Sequence, residues 1–227
     1  MTRALRQNGG IITTGALRRI GYSNREIEGL VAHGELRRLH RGVYADGRAP
    51  LKDQAYFKAA LLAVPRDSWL RGRTAAMLWG LEAPSLVGIE LGIVASSTPR
   101  HSGLRIRRTS RPPHPSEIRT RHGLRVSSVS RLLIESAADS ADRDRLHRLI
   151  EAAVRRNLLD LPDLAQTLKR NLRQAGTRVV HETCEEYLPH LDRKSALERA
   201  FDRWLTKHPE IPPPQRNIKL GVWEIDC

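Results

Sequence analysis

Gly10-Ile11-Ile12-Thr13-Thr14-Gly15-Ala16-Leu17, then Gly21-Tyr22-Ser23-Asn24-Arg25-Glu26, then Leu36-Arg37-Arg38-Leu39-His40-Arg41-Gly42-Val43-Tyr44, is the stretch whose reading decides the fold. Thr13 or Thr14 can cap a short helix with apolar positions at Ala16, Leu17 and Ile20, and Gly21 supplies a left-handed stop. Ser23 and Glu26 have the spacing of a capping box, in which hydroxyl and carboxylate satisfy each other's orphan amides. The helix they open buries Ile27, Leu30 and Val31 at i, i+3 and i+4, and Gly34 ends it. Residues 36–44 then alternate as two short strands turning at Arg41-Gly42. Helix, turn, helix and basic hairpin is the order of a winged helix.

In that arrangement the second helix enters the DNA major groove by its N-terminal end. Here that end offers Asn24, Arg25 and Glu28 on the face opposite Ile27 and Leu30. Asparagine and arginine are the residue types that read adenine and guanine edges with two hydrogen bonds. Arg37, Arg38, His40 and Arg41 lie on the hairpin, where they would meet phosphates or the minor groove. Thr14 and Ser23, at the two helix starts, complete the expected DNA-binding set. The same charges are also compatible with the solvated faces of a small helical domain.

Outward from this core the composition agrees. The chain has 227 residues and a formal charge of +14, carried by 33 Arg and 6 Lys. Such a balance favours a polyanionic partner, nucleic acid first and an anionic membrane second, although arginine-rich codon usage raises the charge as well. Only 10 aromatic residues argue against a single-strand binder built on stacking. Two cysteines cannot make a cysteine-rich metal site, and their scarcity fits a reducing compartment. The start is charged, and no window approaches the length of a membrane span. A soluble, cytoplasmic, bacterial protein is expected, with double-stranded DNA as partner and no membrane.

Helices are predicted at about 52–64 and 73–81, then at about 129–138, 142–157 and from Pro162 toward Asn171. Strands are predicted at 86–95, 104–108 and 124–126. Residues 100–131 hold nine Arg and one acid, Glu117, which makes either a second DNA-facing surface or a solvated sheet face. Residues 173–192 are comparatively acidic and are expected as a linker or hinge. A last helix is predicted at 194–207, and after Pro212-Pro213-Pro214 the segment Ile218 to Ile225 alternates as a strand.

The N-terminal stretch resembles the AbiEi family of antitoxins, most specifically in Arg38-Leu39-His40-Arg41-Gly42-Val43-Tyr44. The middle segment is similar to the same proteins through Arg73-Thr74-Ala75-Ala76 and through Val126 to Leu133. The resemblance implies a winged helix that binds an operator and represses a toxin–antitoxin operon, with a cognate toxin and a second copy of the chain as candidate partners. Lys194-Ser195-Ala196-Leu197-Glu198, the proline run, Asn217 and Glu224-Ile225-Asp226 resemble a different group. These are the very-short-patch-repair-like endonuclease domains of PD-(D/E)XK type. That resemblance implies Glu198 and Asp226 as catalytic carboxylates, with Asp226 as a metal ligand. The second strand, with its further carboxylate, is absent from the sequence. Hydrolysis of a phosphodiester needs a divalent metal held by several oxygens. The expectation is therefore a remnant without activity; Mg²⁺ enters only under the nuclease reading, and no other cofactor is expected.

The expected fold class is α+β: a winged helix-turn-helix (1–48), a mixed α/β middle domain (49–172), a linker (173–192) and the truncated start of a restriction-endonuclease-like domain, helix plus strand (193–227). The expected function is sequence-specific DNA binding as an antitoxin-like repressor. A metal-dependent endonuclease and a toxin-interaction module are the alternatives. The histidine spacings, His33 with His40 and His181 with His190, put no two ligands on one helical face.

Overall fold

The structure is a computed structural model that describes residues 1–86, 88–96, 101–140 and 142–185, together with the backbone of 218–220 and 223–225. The fold is α+β, with helices and mixed sheets. The chain divides into two compact units, 1–181 and 182–227.

The first unit opens with α1 (Thr2–Gln7), β1 (Ile11–Thr13), α2 (Thr14–Arg19), α3 (Asn24–Ala32), β2 (Leu36–His40) and β3 (Val43–Asp46). The three strands form an antiparallel sheet in the order β1-β3-β2. This region is consistent with a winged helix. Alternation along the strands sends Ile12, Leu36 and Tyr44 to one face, where they meet Leu5, Leu17 and Ile27 of the helices. The other face presents Ile11, Val43 and Ala45 to Ala55 and Ala59 of α4 (Asp53–Leu62). The wing sheet is thus covered on both faces.

α4 also touches β4 (Trp69–Leu70) and β5 (Ile89–Val94). They belong to a five-stranded mixed sheet ordered β6-β5-β4-β8-β7, with β6 (Leu104–Thr109), β7 (Ile118–Arg121) and β8 (Leu124–Ser127). α5 (Gly72–Trp79) and α6 (Val129–Asp139) pack on each other, and α7 (Arg143–Arg155) and α8 (Leu161–Arg170) pack on α6. Trp69 lies opposite Gly92 in the ladder, and a Cβ there would sit 2.2 Å from the indole. Glycine at 92 makes room for the ring.

Where α5, α6 and β8 meet, the interior is ionic. Arg131 donates to Glu117 at 2.7 Å, to Glu135 at 3.1 Å and to Asn171 at 3.2 Å. Glu135 also accepts from the Trp69 indole at 3.2 Å and the Ser127 hydroxyl at 2.7 Å. Arg71 reaches Glu135 at 3.7 Å and is hydrogen-bonded to Asp139. Arg170 closes the cluster on Glu117 at 3.2 Å. Burying charge is tolerated only with this density of partners.

Several expectations change on contact with the structure. Ile20, predicted to be a buried position of the first helix, is the C-cap of α2 and is 46% exposed. Its side chain has rotated past the stripe that Leu17 occupies. Within the stretch expected as a linker, residues 177–185 are helical and Val180 is fully buried. Burial pushes the Cys184 thiol up to about 11. The strand predicted across 218–225 is instead a hairpin of β9 (Ile218–Leu220) and β10 (Trp223–Ile225), with Ile218 opposite Ile225. The two arms pair with each other, antiparallel. One strand and two three-residue arms share the same alternation, so the pattern alone does not distinguish them. Among the described residues no helix is long and apolar enough to cross a membrane.

Candidate nucleic-acid interface

The helix pair is held by its caps. The Thr13 hydroxyl accepts from the Ala16 amide at 3.2 Å and starts α2. The full capping box forms at α3: the Glu26 amide donates to the Ser23 hydroxyl at 3.3 Å, and the Ser23 amide donates to the Glu26 carboxylate at 2.7 Å. Gly21 and Gly34 take φ of +99° and +71°, as the predicted stops require. Ser23→Ala should destabilise the protein by about 1 kcal/mol, read by urea denaturation; a change below the error of the measurement would remove the cap from the account. The Ser23 hydroxyl and amide hold the Glu26 carboxyl below its ordinary value. A depressed carboxylate contributes stability above its unfolded value, and that contribution is lost as pH falls through the folded one. The gap between the Ser23→Ala variant and the parent should accordingly narrow in acid, leaving the part that comes from the Glu26 amide donating to the Ser23 hydroxyl.

Asn24, Arg25 and Glu28 are all exposed on the first half of α3. Asn24 is not free on its oxygen side. Its Oδ1 accepts from Arg18 Nε at 3.2 Å and Nη2 at 2.8 Å, across the turn from α2. Bidentate reading of adenine uses both amide atoms, so Asn24 would have to release Arg18 to do it. The sequence reading missed Arg18, which lies in the last turn of α2. Its signal was a basic residue facing the turn, overlooked because α2 was read through its apolar positions alone. Thr14 is the first residue of α2, and its amide donates to the Gly42 carbonyl at 2.9 Å, which ties the hairpin turn to the helix start.

The hairpin cations do not share one face. Arg38 pairs with Tyr44 and its guanidinium lies 5.7 Å from the centre of that ring, on the side of α2 and α3. Arg37 is opposite Ala45 and His40 opposite Val43, on the side of α4. A register shift between Arg38 and His40 breaks the simple alternation. His40 stands 6.5 Å from His101, edge to face. Burial, and then His101, lower the His40 pKa below its ordinary value. His40 is therefore neutral at neutral pH and is not one of the hairpin's cations. Arg41 is exposed at the turn.

Residues 1–48 hold nine Arg against four carboxylates. Arg18 and Asn24 are joined by hydrogen bonds, Arg25 and Glu28 are exposed on α3, Arg38 lies on the sheet face turned to α2 and α3, and Arg37 and His40 lie on the opposite face. Glu198 and Asp226 lie outside the described residues. Among the described residues no group of three or more His, Cys, Asp or Glu is placed to hold a metal ion.

Residues 1–45 match the family described as transcriptional regulator, AbiEi antitoxin (AbiEi_4). No curated protein matches the chain. Among solved structures the chain is similar to the crystal structure of RV2827C protein from Mycobacterium tuberculosis, at 16% sequence identity, covering 66% of this chain and 69% of that chain, with a TM-score of 0.46.

Proposed function

We propose that this chain is a sequence-specific DNA-binding transcriptional repressor of antitoxin type, acting on the operator of its own toxin–antitoxin operon. The observation that carries the reading is the agreement of two independent features over the same residues. The helix pair with its basic hairpin occupies 11–46, and the match to an antitoxin regulator family covers 1–45. Residues 1–48 are the DNA-contacting domain in this reading, and the rest of the chain, through 49–172 and beyond, carries any contact with a toxin or a second copy.

Roles follow from the side chains. Arg25 reads guanine with two parallel hydrogen bonds, and Glu28 accepts from a cytosine amino group. Asn24 fixes Arg18 against the turn, so that Arg18 meets a phosphate beside the recognition helix. Arg38, steadied over Tyr44, and Arg41 at the hairpin tip contact the backbone of the flanking groove. Thr14 and Ser23, at the two helix starts, contribute polar contacts to the DNA backbone in this reading. Arg37 and His40 come last in this order, since both lie on the side of α4.

The test is a binding titration of the intact chain against its own upstream DNA and a scrambled duplex, at two salt concentrations. Phosphate contacts make both affinities fall with salt, while base contacts preserve a difference between them. Tighter binding to the upstream DNA at both salt concentrations is the expected result. Equal affinity for the two duplexes, collapsing with salt, would reduce the interface to generic charge.

A further inference from the structure

The ionic cluster of the middle segment has more donors than it uses. Arg71 and Arg131 are 7% and 5% exposed. Their Nε and Nη1 atoms account for every ion pair and hydrogen bond they make with Glu117, Glu135, Asp139 and Asn171. Among the described residues, the Nη2 atom of each takes no protein acceptor. A guanidinium has five N–H donors and no acceptor, and these two Nη2 atoms are not among the buried atoms left without a partner, so each still reaches solvent, where a ligand can meet it. Both arginines line the same pocket, of about 310 Å³.

The pocket's remaining polar lining points to the charge of the missing partner. Arg107 and Arg108 of β6 stand at its mouth, with Thr109 and Gln174 beside them. Its two carboxylates are already engaged: Glu135 by Arg131, Trp69 and Ser127, and Asp139 by Arg71 and, at 3.4 Å, by Arg107. Four guanidinium groups and two carboxylates line the pocket, and Glu117 beside it also pairs with Arg131 at 2.7 Å, so the lining remains net positive. A second pocket shares Thr109, Arg131 and Gln174 and adds Arg111, Lys169 and Arg173 without adding a carboxylate beyond Glu117. The approach is cationic along its length.

From this we infer that the pocket between β6 and α6 binds a phosphate group, held by Arg71 and Arg131 on the floor and by Arg107 and Arg108 at the mouth. A phosphate group suits a net positive lining and offers the oxygens that forked guanidinium donors recognise. The carboxylates that engage Arg71 and Arg131 also lock their orientation, so the donors are held in place before the ligand arrives. Burial alone lowers the Arg71 pKa, but Glu135 and Asp139 outweigh it and hold the group above its ordinary value. The inference stands apart from DNA reading by α3 and does not depend on it.

The test is isothermal titration of the full chain with pyrophosphate at constant ionic strength, repeated with two double variants that remove equal charge. R107A/R108A takes away the pocket mouth. K169A/R173A removes two cations from the neighbouring pocket alone. All four residues are exposed, so both variants should fold, and circular dichroism checks it. The expected result is saturable binding that R107A/R108A weakens about tenfold or more, as loss of charge-assisted hydrogen bonds implies, and that K169A/R173A leaves near the parent value. No saturable binding, or equal weakening by both variants, would overturn the site. Competition with a random 20-base-pair duplex then separates the two sources of phosphate. Displacement of pyrophosphate would place a nucleic-acid backbone in the pocket, and persistence would assign it to a free phosphorylated ligand.

Discussion

Glu135→Ala should destabilise the protein by about 3–5 kcal/mol, the cost of leaving a buried charge without its partner. The size follows from what the carboxylate holds. Its two oxygens receive Arg131, the Trp69 indole and the Ser127 hydroxyl, and Arg71 lies 3.7 Å away. Truncation leaves two buried guanidinium groups short of countercharge and strands three neutral donors as well, the third being the Gly72 amide at 3.4 Å. Against a total stability of about 5–15 kcal/mol for a typical domain, the loss would be a large fraction. Urea denaturation by circular dichroism measures it. Asp139→Asn is the comparison, since the Asp139 side chain is 24% exposed and water can replace part of what it gives Arg71. A smaller loss for Asp139→Asn than for Glu135→Ala is expected. A loss below about 1 kcal/mol for Glu135→Ala, the range of surface pairs, would show that the cluster contributes no net stability.

Arg131 and Glu135 are four residues apart on one helix, but the rest of that cluster was not legible in the sequence, and the reason is distance along the chain. Trp69 and Glu135 are 66 residues apart, and Arg131 and Asn171 are 40 apart. Ser127, Ser128 and Ser130 drew no role from the sequence, yet they separate cleanly in space. Ser127 donates to Glu135, Ser128 caps α6, and Ser130 donates to Asp163 at 2.6 Å. β4 escaped as well, because a two-residue strand has no period to detect, although it is the central strand of its sheet.

What was legible was local. The Ser23–Glu26 capping box, the burial of Ile27 and the turn at Arg41-Gly42 each depend on residues within four positions of one another. The same locality limited the site. Alternation placed Arg37, Arg38, His40 and Arg41 on a hairpin, but the register shift after Arg38 decides which of them share the face of α3. Periodicity cannot see a bulge. Likewise Asn24 looked like a reader of bases until Arg18 took its oxygen.

Arg25→Ala should lower the preference for the operator over random DNA by about 1–3 kcal/mol, the worth of one bidentate contact to a base. Arg41→Ala should behave differently, weakening binding on every sequence and lowering the salt slope by about 0.9, the contribution of one phosphate contact. The contrast is the informative part, because both residues are exposed arginines in the same small domain. A fold defect would move them together, and so would a purely electrostatic surface. Arg25 stands on the exposed side of a helix whose other side is anchored by Ile27, which is 2% exposed. It lies one residue past the Asn24 that Arg18 grips, so its backbone is fixed close to the helix start. Arg41 sits at a turn, where a long side chain can follow the phosphate path without choosing a base. Competition titrations with operator and scrambled duplexes, each at several salt concentrations, give both quantities in one experiment. Equal loss on the two duplexes from Arg25→Ala would refute base reading by α3. Asn24→Ala then distinguishes the remaining arrangements. If Asn24 acts by holding Arg18, its removal should weaken both duplexes alike, and a selective loss on the operator would return it to the base-reading set.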